Sequence, residues 1–341
     1  MIVVDHLTKC YGDFPALNDL SFEIQDGRVY GFLGPNGAGK STTMNIMTGC
    51  LSPTSGTVRI DGHDILKEPE AVKKLIGYLP EHPPLYTSET PTEYLRFVGE
   101  AKGVKGSELQ RQVDEVIRLT GIAPVKDRLI SALSKGYCQR VGIAQALLGT
   151  PKIIILDEPT VGLDPIQIIE IRDLIRELGK THTVLFSSHI LSEVQSICEQ
   201  VLIISKGTLV AFDAPDKLEK LLTQSGGISL LTEAAVEAVD SILKGVQGLS
   251  GWESTVREDG RLSVSIKTGT QDPHEVSRQL FFAFAESGET VLEMTAKKAN
   301  LEDVFLELTE QTNHSRHVVQ ENTSNLTSNE TQQDKSKENM P

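Results

Sequence analysis

The sequence predicts an α/β protein with a first domain built on a mostly parallel sheet covered by helices, followed by a smaller α+β module. Three observations lead there. Up to about residue 220, short apolar runs rich in β-branched residues alternate with helical stretches, the pattern of strands joined by helical crossovers. The run Ile153-Ile154-Ile155-Leu156 is too continuous for a strand with one wet face and reads as buried on both sides. From about 226 to 309 the order becomes strand, helix, two strands, helix, strand, which suggests a ferredoxin-like βαββαβ module.

In the first domain, 1–220, the predicted strands include 21–24, 29–33, 57–60, 153–156, 183–186 and 201–204. A helical insert spans about 84–150. It opens at Thr90-Pro91-Thr92-Glu93, which has capping-box spacing with proline at the first helical position. The second domain, 221–310, has strands at 228–231, on either side of Asp259-Gly260, and at 290–294. Its helices are predicted at 234–243 and 275–286, with a closing helix at 301–308. Residues 311–341 are rich in Asn, Ser, Thr, Gln and Glu and read as a disordered polar tail, because so few apolar groups cannot offset the entropy of ordering.

Bulk properties exclude several classes. Over 341 residues the composition is 39% hydrophobic and 23% charged, within the range of globular proteins. A formal net charge of −14 argues against a surface built to neutralise nucleic-acid phosphates, and no nucleic acid is expected as partner. Cys10, Cys50, Cys138 and Cys198 lack the short spacings that hold zinc or iron–sulfur clusters and read as reduced thiols. The N-terminus has no basic stretch followed by an apolar one, and no window approaches the roughly 18 apolar residues of a membrane span. Any membrane role is expected to pass through another chain.

The strongest local signal is Gly34-Pro35-Asn36-Gly37-Ala38-Gly39-Lys40-Ser41, followed by Thr42, which fits the P-loop spacing of glycine, four residues, glycine, lysine and serine. It follows a predicted strand and opens a helix, so backbone N–H groups and the positive helix end can surround a phosphate. Lys40 is expected to reach the β- and γ-phosphates, and the Ser41 hydroxyl to ligate Mg²⁺. A P-loop alone does not separate transport ATPases from kinases, GTPases or helicases. Asp157 and Glu158 end the strand 153–156, where ligands gather in such sheets. Asp157 is expected to hold Mg²⁺ through a water and Glu158 to act as general base on the attacking water.

Shortly before that strand stands Leu133-Ser134-Lys135-Gly136-Tyr137-Cys138-Gln139-Arg140, which resembles the signature motif of the ABC ATPase family. The resemblance implies a P-loop NTPase fold, with a RecA-like parallel sheet core, an antiparallel β part and a helical insert. It implies a dimer with a second copy or a paralogous subunit, in which two ATP molecules are sandwiched. Ser134, which reads as the cap of a helix, and Gly136 would then meet the γ-phosphate bound by the partner. Further matching positions extend the resemblance. Tyr11 resembles the aromatic that stacks on adenine. Val161-Gly162-Leu163-Asp164-Pro165 resembles the loop through which two subunits sense each other, and His189 resembles the switch histidine that contacts the γ-phosphate and helps hold Glu158.

Three positions depart from the family pattern. Lys135 replaces the usual first signature glycine and either adds charge near the partner's phosphate or is solvated. Tyr137 stands where glutamine is common, and its role stays open. Glu81, in Tyr78-Leu79-Pro80-Glu81, stands where a glutamine usually touches magnesium; it is expected to lie near Mg²⁺. With the stretch 300–309, these features resemble the ABC-2 type exporters and their gliding-motility-like ATPase subunits. That resemblance implies an ATPase on the inner face of the membrane powering export through a separate polytopic permease. The alternative is a soluble ABC-type ATPase acting on nucleic acid or ribosomes. One P-loop and no sustained heptads weigh against it.

Overall fold

The computed structural model describes residues 1–222, 227–257, 259–268 and 273–297. Contacts divide the chain into two compact units, one spanning Met1–Pro215 and one beginning at Asp216.

The first unit opens with two antiparallel strands, β1 (Ile2–Tyr11) and β2 (Phe14–Ile24), then β3 (Val29–Leu33), which leads into α1 (Lys40–Met47). β4 (Ser55–Ile60) and β5 (His63–Asp64) follow, and α2 (Pro69–Leu75) leads to β6 (Ile76–Leu79). The insert holds α3 (Pro91–Ala101), α4 (Gly106–Leu119) and α5 (Lys135–Leu147). The chain then runs through β7 (Ile153–Leu156), α6 (Pro165–Gly179), β8 (Thr183–Ser188), α7 (Leu191–Ile197), β9 (Gln200–Ser205) and β10 (Thr208–Asp213).

Two sheets result. One is antiparallel in the order β2-β1-β4-β5, and the other runs β10-β9-β3-β8-β7-β6, parallel except for the β10–β9 pair. β3, β7 and β8 are buried along their whole length, which is why β7 reads as an unbroken apolar run and β8 carries Val184-Leu185-Phe186 at its centre. A continuous core joins the sheets through α1. Leu7, Leu20 and Ile60 of the antiparallel sheet share it with Met44 and Ile46 of the helix and with Phe32, Ile155 and Leu202 of the central sheet.

Register places the strand ends together. Leu33 pairs with Ser188, Leu156 with Phe186, and Leu79 with Leu156. The segments that leave β3, β6, β7 and β8 therefore emerge side by side at the carboxyl edge of the sheet.

In the insert, each helix start has a visible cause. Thr90 caps α3 in a full capping box, its hydroxyl accepting from Glu93 N–H while the Glu93 carboxylate accepts from Thr90 N–H. Ser134 caps α5, and Asp164 caps α6 with Pro165 at its first position. At the other end of α5, Lys102 Nζ donates to the carbonyls of Gln145, Ala146 and Leu148 at 2.9, 3.2 and 2.8 Å.

Helix α8 (Pro215–Leu222) crosses the boundary between units. The second unit has β11 (Gly227–Thr232), α9 (Val236–Gly245), β12 (Gly251–Val256), β13 (Leu262–Lys267), α10 (Pro273–Glu286) and β14 (Val291–Lys297). All neighbours are antiparallel in the order β12-β13-β11-β14, so two split β-α-β units interleave. Its core joins Ile228, Leu230, Val264 and Ile266 of the sheet to Val239, Leu243, Leu280 and Phe284 of the helices. The helix expected at 301–308 and the tail at 311–341 lie outside the described residues.

The capping box gives a direct stability test. Thr90→Ala removes an acceptor from the first turn of α3 and is expected to lower unfolding free energy by about 1 kcal/mol in urea denaturation. An unchanged midpoint would show that the cap adds nothing to the fold.

Candidate active site

The loop after β3 is shaped by contacts that exclude side chains. A Cβ on Gly34 would stand 2.5 Å from the Ile204 carbonyl oxygen. Gly39 has φ +107° and lies against Leu17 and the Ala16 carbonyl, so it needs both the left-handed conformation and the missing Cβ. Lys40, only 5% exposed, folds back along the loop, with Nζ donating to the Gly34 carbonyl at 2.8 Å and the Pro35 carbonyl at 3.3 Å. Its charge also lies 3.3 Å from Glu158 Oε1.

Asp157 and Glu158 end β7 as expected from the strand register. Both are buried, at 3% and 6% exposure. One hydroxyl organises the pair: Ser187 Oγ donates to Asp157 Oδ1 at 2.6 Å and accepts from Glu158 N–H at 2.8 Å. Glu158 has φ +47°, a left-handed conformation that costs a non-glycine residue on the order of 1–2 kcal/mol. That turn sends its carboxyl back toward the loop, between Lys40 and His189. His189 Nδ1 lies 2.9 Å from Glu158 Oε2; with the carboxylate accepting, the ring proton sits on Nδ1.

Burial holds the Asp157 carboxyl above its ordinary pKa range, and the nearby negative charges of Glu158 and Glu81 add to this. Hydrogen bonds from Ser187 and Ser41 work in the opposite direction. The Ser41–Asp157 contact ties the first turn of α1 to the end of β7.

These elements surround a cleft of about 410 Å³. Tyr11, Asn36, Gly37, Gly39, Lys40, Ser41, Thr42, Glu81, Glu158 and His189 all line it, while Asp157 lies buried behind Ser41. Gly34, Pro35 and Ala38 form the back of the loop. Tyr11 stands at the tip of the β1–β2 hairpin, half exposed at 51%.

Ser134 and Gly136 are not in this cleft. They line a second one of about 340 Å³ with Tyr137, Asp164 and Gln167 at the start of α5 and α6. Lys135 extends over Gly162, where an added Cβ would lie 2.2 Å from its Nζ, so its ammonium sits on the loop after Glu158.

Two contributors were not singled out from sequence. Ser187 was visible only as a strand-end serine; its double hydrogen bond depends on β7 and β8 being neighbours. Phe14 lines the cleft, 64% exposed and paired with Tyr11 across the hairpin. An aromatic three residues after Tyr11, across a Gly-Asp turn, was the available signal.

A sheet whose strand ends deliver a glycine-rich loop, a buried lysine and a glutamate to one cleft, with an aspartate buried against the loop's serine, defines a P-loop NTPase. Known proteins narrow the class. The sequence model of the family described as ABC transporter matches residues 17–161. The chain is 34% identical to the ABC transporter ATP-binding protein YxlF of Bacillus subtilis, over 90% of this chain and 99% of that one. It is 35% identical to the bacitracin transport ATP-binding protein BcrA of Bacillus licheniformis, over 90% and 97%. Among solved structures, the cassette MJ0796, in a dimeric post-hydrolysis state with ADP and Pi, superposes with a TM-score of 0.58 at 26% identity. That likeness covers 63% of this chain and 98% of MJ0796.

The chain belongs to the ABC transporter ATP-binding proteins. It is an ATP-binding and ATP-hydrolysing subunit of a membrane transporter. Among the described residues, no helix is long and apolar enough to cross a membrane.

The raised Asp157 pKa has a definite sign. The fold penalises the ionised form, so the penalty is absent below the ordinary aspartate pKa of about 4 and grows as pH rises through the elevated value. Asp157→Asn cannot ionise. It is expected to raise the melting temperature of the nucleotide-free chain at neutral pH, with the gain disappearing toward about pH 4. Thermal melts across that range check this; a gain independent of pH would mean that ionisation is not the cause.

Proposed function

We propose that this chain powers export through a separate polytopic permease, as one half of a dimer with a second copy or a paralogous ATPase subunit. The observation that carries this reading is the separation of the phosphate-binding groups. Lys40, Ser41, Glu158 and His189 line one cleft, whereas the N-terminus of α5 opens in another. One chain by itself leaves the γ-phosphate site half built, and an opposed second chain would supply Ser134 and Gly136.

Within such a site, the Gly34–Ser41 backbone would cradle the phosphates, and Tyr11 would stack on the base with its exposed face. Lys40 would exchange its loop carbonyls for phosphate oxygens. Glu158, positioned by Ser187, Lys40 and His189, would take the proton from the attacking water. His189 would keep the carboxylate aimed and use its free Nε2 side toward the phosphate.

The donors also suit Mg²⁺. Ser41 and Asp157 offer only oxygen and already touch, and Glu81 lines the same cleft. Among the described residues, no group of three or more His, Cys, Asp or Glu forms a complete metal cage, so phosphate oxygens would finish the coordination. When bound, Mg²⁺ neutralises charge on the β- and γ-phosphates. The exporter branch is supported by the resemblance at 78–81, 133–137 and 300–309, and by similarity to BcrA. Helices of the insert would meet the permease, and the subunit would then sit on the inner face of the membrane.

Glu158→Gln tests the core of the proposal. Turnover is expected to fall by about 100-fold or more, while ATP still drives dimer formation in size-exclusion chromatography. A mutant with wild-type turnover would remove Glu158 from the role of base. Glu81→Gln is expected to shift the Mg²⁺ concentration for half-maximal ATPase activity. If metal dependence, turnover and coupling to transport all stay at wild-type values, Glu81 is not a magnesium-proximal residue.

A further inference from the structure

We propose that Glu193 is a positioning residue for ATP hydrolysis, its carboxyl locking the loop that follows Glu158 to the turn that carries His189. The proposal rests on the assignment of those two residues to hydrolysis, and extends it to a side chain outside the cleft.

Glu193 lies in the first turn of α7, four residues after His189, and is 1% exposed. Two hydroxyls from different segments converge on one of its oxygens. Thr160 Oγ1 donates to Oε2 at 2.8 Å, and Ser188 Oγ donates to the same atom at 2.9 Å. Both donors are buried, at 4% and 0% exposure, so water does not compete for them.

Each donor sits beside a residue of the reaction. Thr160 is two positions after Glu158, in a loop closed by Val161 N–H donating to the Glu158 carbonyl and Leu163 N–H to the Thr160 carbonyl. Ser188 immediately precedes His189. While its hydroxyl proton points to Glu193, its oxygen accepts from Ile190 N–H at 2.9 Å, which forms a serine turn with His189 at the apex. One carboxyl oxygen thus fixes the relative position of the two backbones whose side chains meet at the 2.9 Å His189–Glu158 contact.

The second oxygen faces an opposite charge, that of Arg172. Oε1 has no hydrogen-bond partner and lies 3.8 Å from Arg172 Nη2 of α6, whose Nε is also unpartnered. A buried acid carries a desolvation cost that an apolar side chain would avoid. What the carboxyl adds is a defined distance between two loops, and small misplacements at a reacting centre slow chemistry far more than they weaken binding.

The test uses full-length protein. Thr160→Val keeps the shape of the side chain and removes one hydroxyl. It is expected to lower kcat for ATP hydrolysis at least about tenfold while the Kd for a fluorescent ATP analogue stays within about twofold. Thr160→Ser, which restores the hydroxyl, should return kcat to within about twofold of wild type. Ser188→Ala cuts the same link from the other side and carries the same expectation if Thr160→Val does not fold. Thr160→Val combined with Glu193→Gln should be no slower than the slower single variant, because all act through one connection.

Wild-type kcat in Thr160→Val and Ser188→Ala would overturn the proposal. So would a Thr160→Ser variant as slow as Thr160→Val, or a loss of nucleotide affinity in step with kcat. Glu158→Gln measured alongside separates the two readings. If it is inactive while Thr160→Val is fully active, only the positioning role of Glu193 fails. If Glu158→Gln itself turns over normally, the base assignment fails and this proposal falls with it.

Discussion

The contact on which the site depends is the buried pair between Lys40 and Glu158. Their side chains are 6% and 8% exposed, so neither charge has water to fall back on. An ammonium in such a place needs an anion and hydrogen-bond acceptors, and removing one member of a buried pair costs several times more than removing a surface one. Lys40 has Glu158 and two loop carbonyls; Glu158 has Lys40 and His189. The pair joins the loop after β3 to the end of β7 across the intervening strand β8, whose own end supplies Ser187 and His189. Three strand ends are thereby held in one electrostatic unit.

The rest of the first unit keeps that unit in place. α1 is anchored on its apolar side by both sheets, so the glycine loop at its start is stretched between fixed points. The antiparallel sheet projects a hairpin tip with Tyr11 and Phe14 beside the loop. Left-handed geometry at Glu158 is tolerated because Ser187 accepts its N–H, while the Lys40 ammonium and the His189 ring hold its carboxyl. Strain in the backbone and burial of charge are compensated by the same few contacts.

Legibility in the sequence follows the range of each interaction. The glycine loop was legible because its chemistry is local, with close backbone turns, a lysine and a hydroxyl within eight residues. Helix starts at Thr90 and Ser134 were legible for the same reason, since a cap reaches only two or three residues ahead. β7 could be named a buried strand from its unbroken apolar run. By contrast, residues 21–24 gave only the end of an eleven-residue strand, because the earlier part of β2 breaks the alternation, with Ala16 and Leu17 both buried and Asn18 and Asp19 both exposed, and carries bulged register with β1. Lys135 could be placed only in space: the motif left its charge either near a phosphate or in solvent, and its ammonium rests on Gly162.

By itself, the sequence determined the fold class and the chemical inventory: a glycine-rich loop with lysine and serine, two adjacent acids, a strand-end histidine and a capped helix near the acidic strand. Each of these is encoded by residues close together in the chain. The tertiary structure decided which of them share a cleft, that one serine would organise both acids, and that Ser134 and Gly136 would face elsewhere. Those outcomes depend on strand order and register, which arise from pairing between segments more than a hundred residues apart, as between β3 and β8. A hydroxyl such as Ser187, or a carboxyl such as Glu193, acquires its partners only after that pairing has closed.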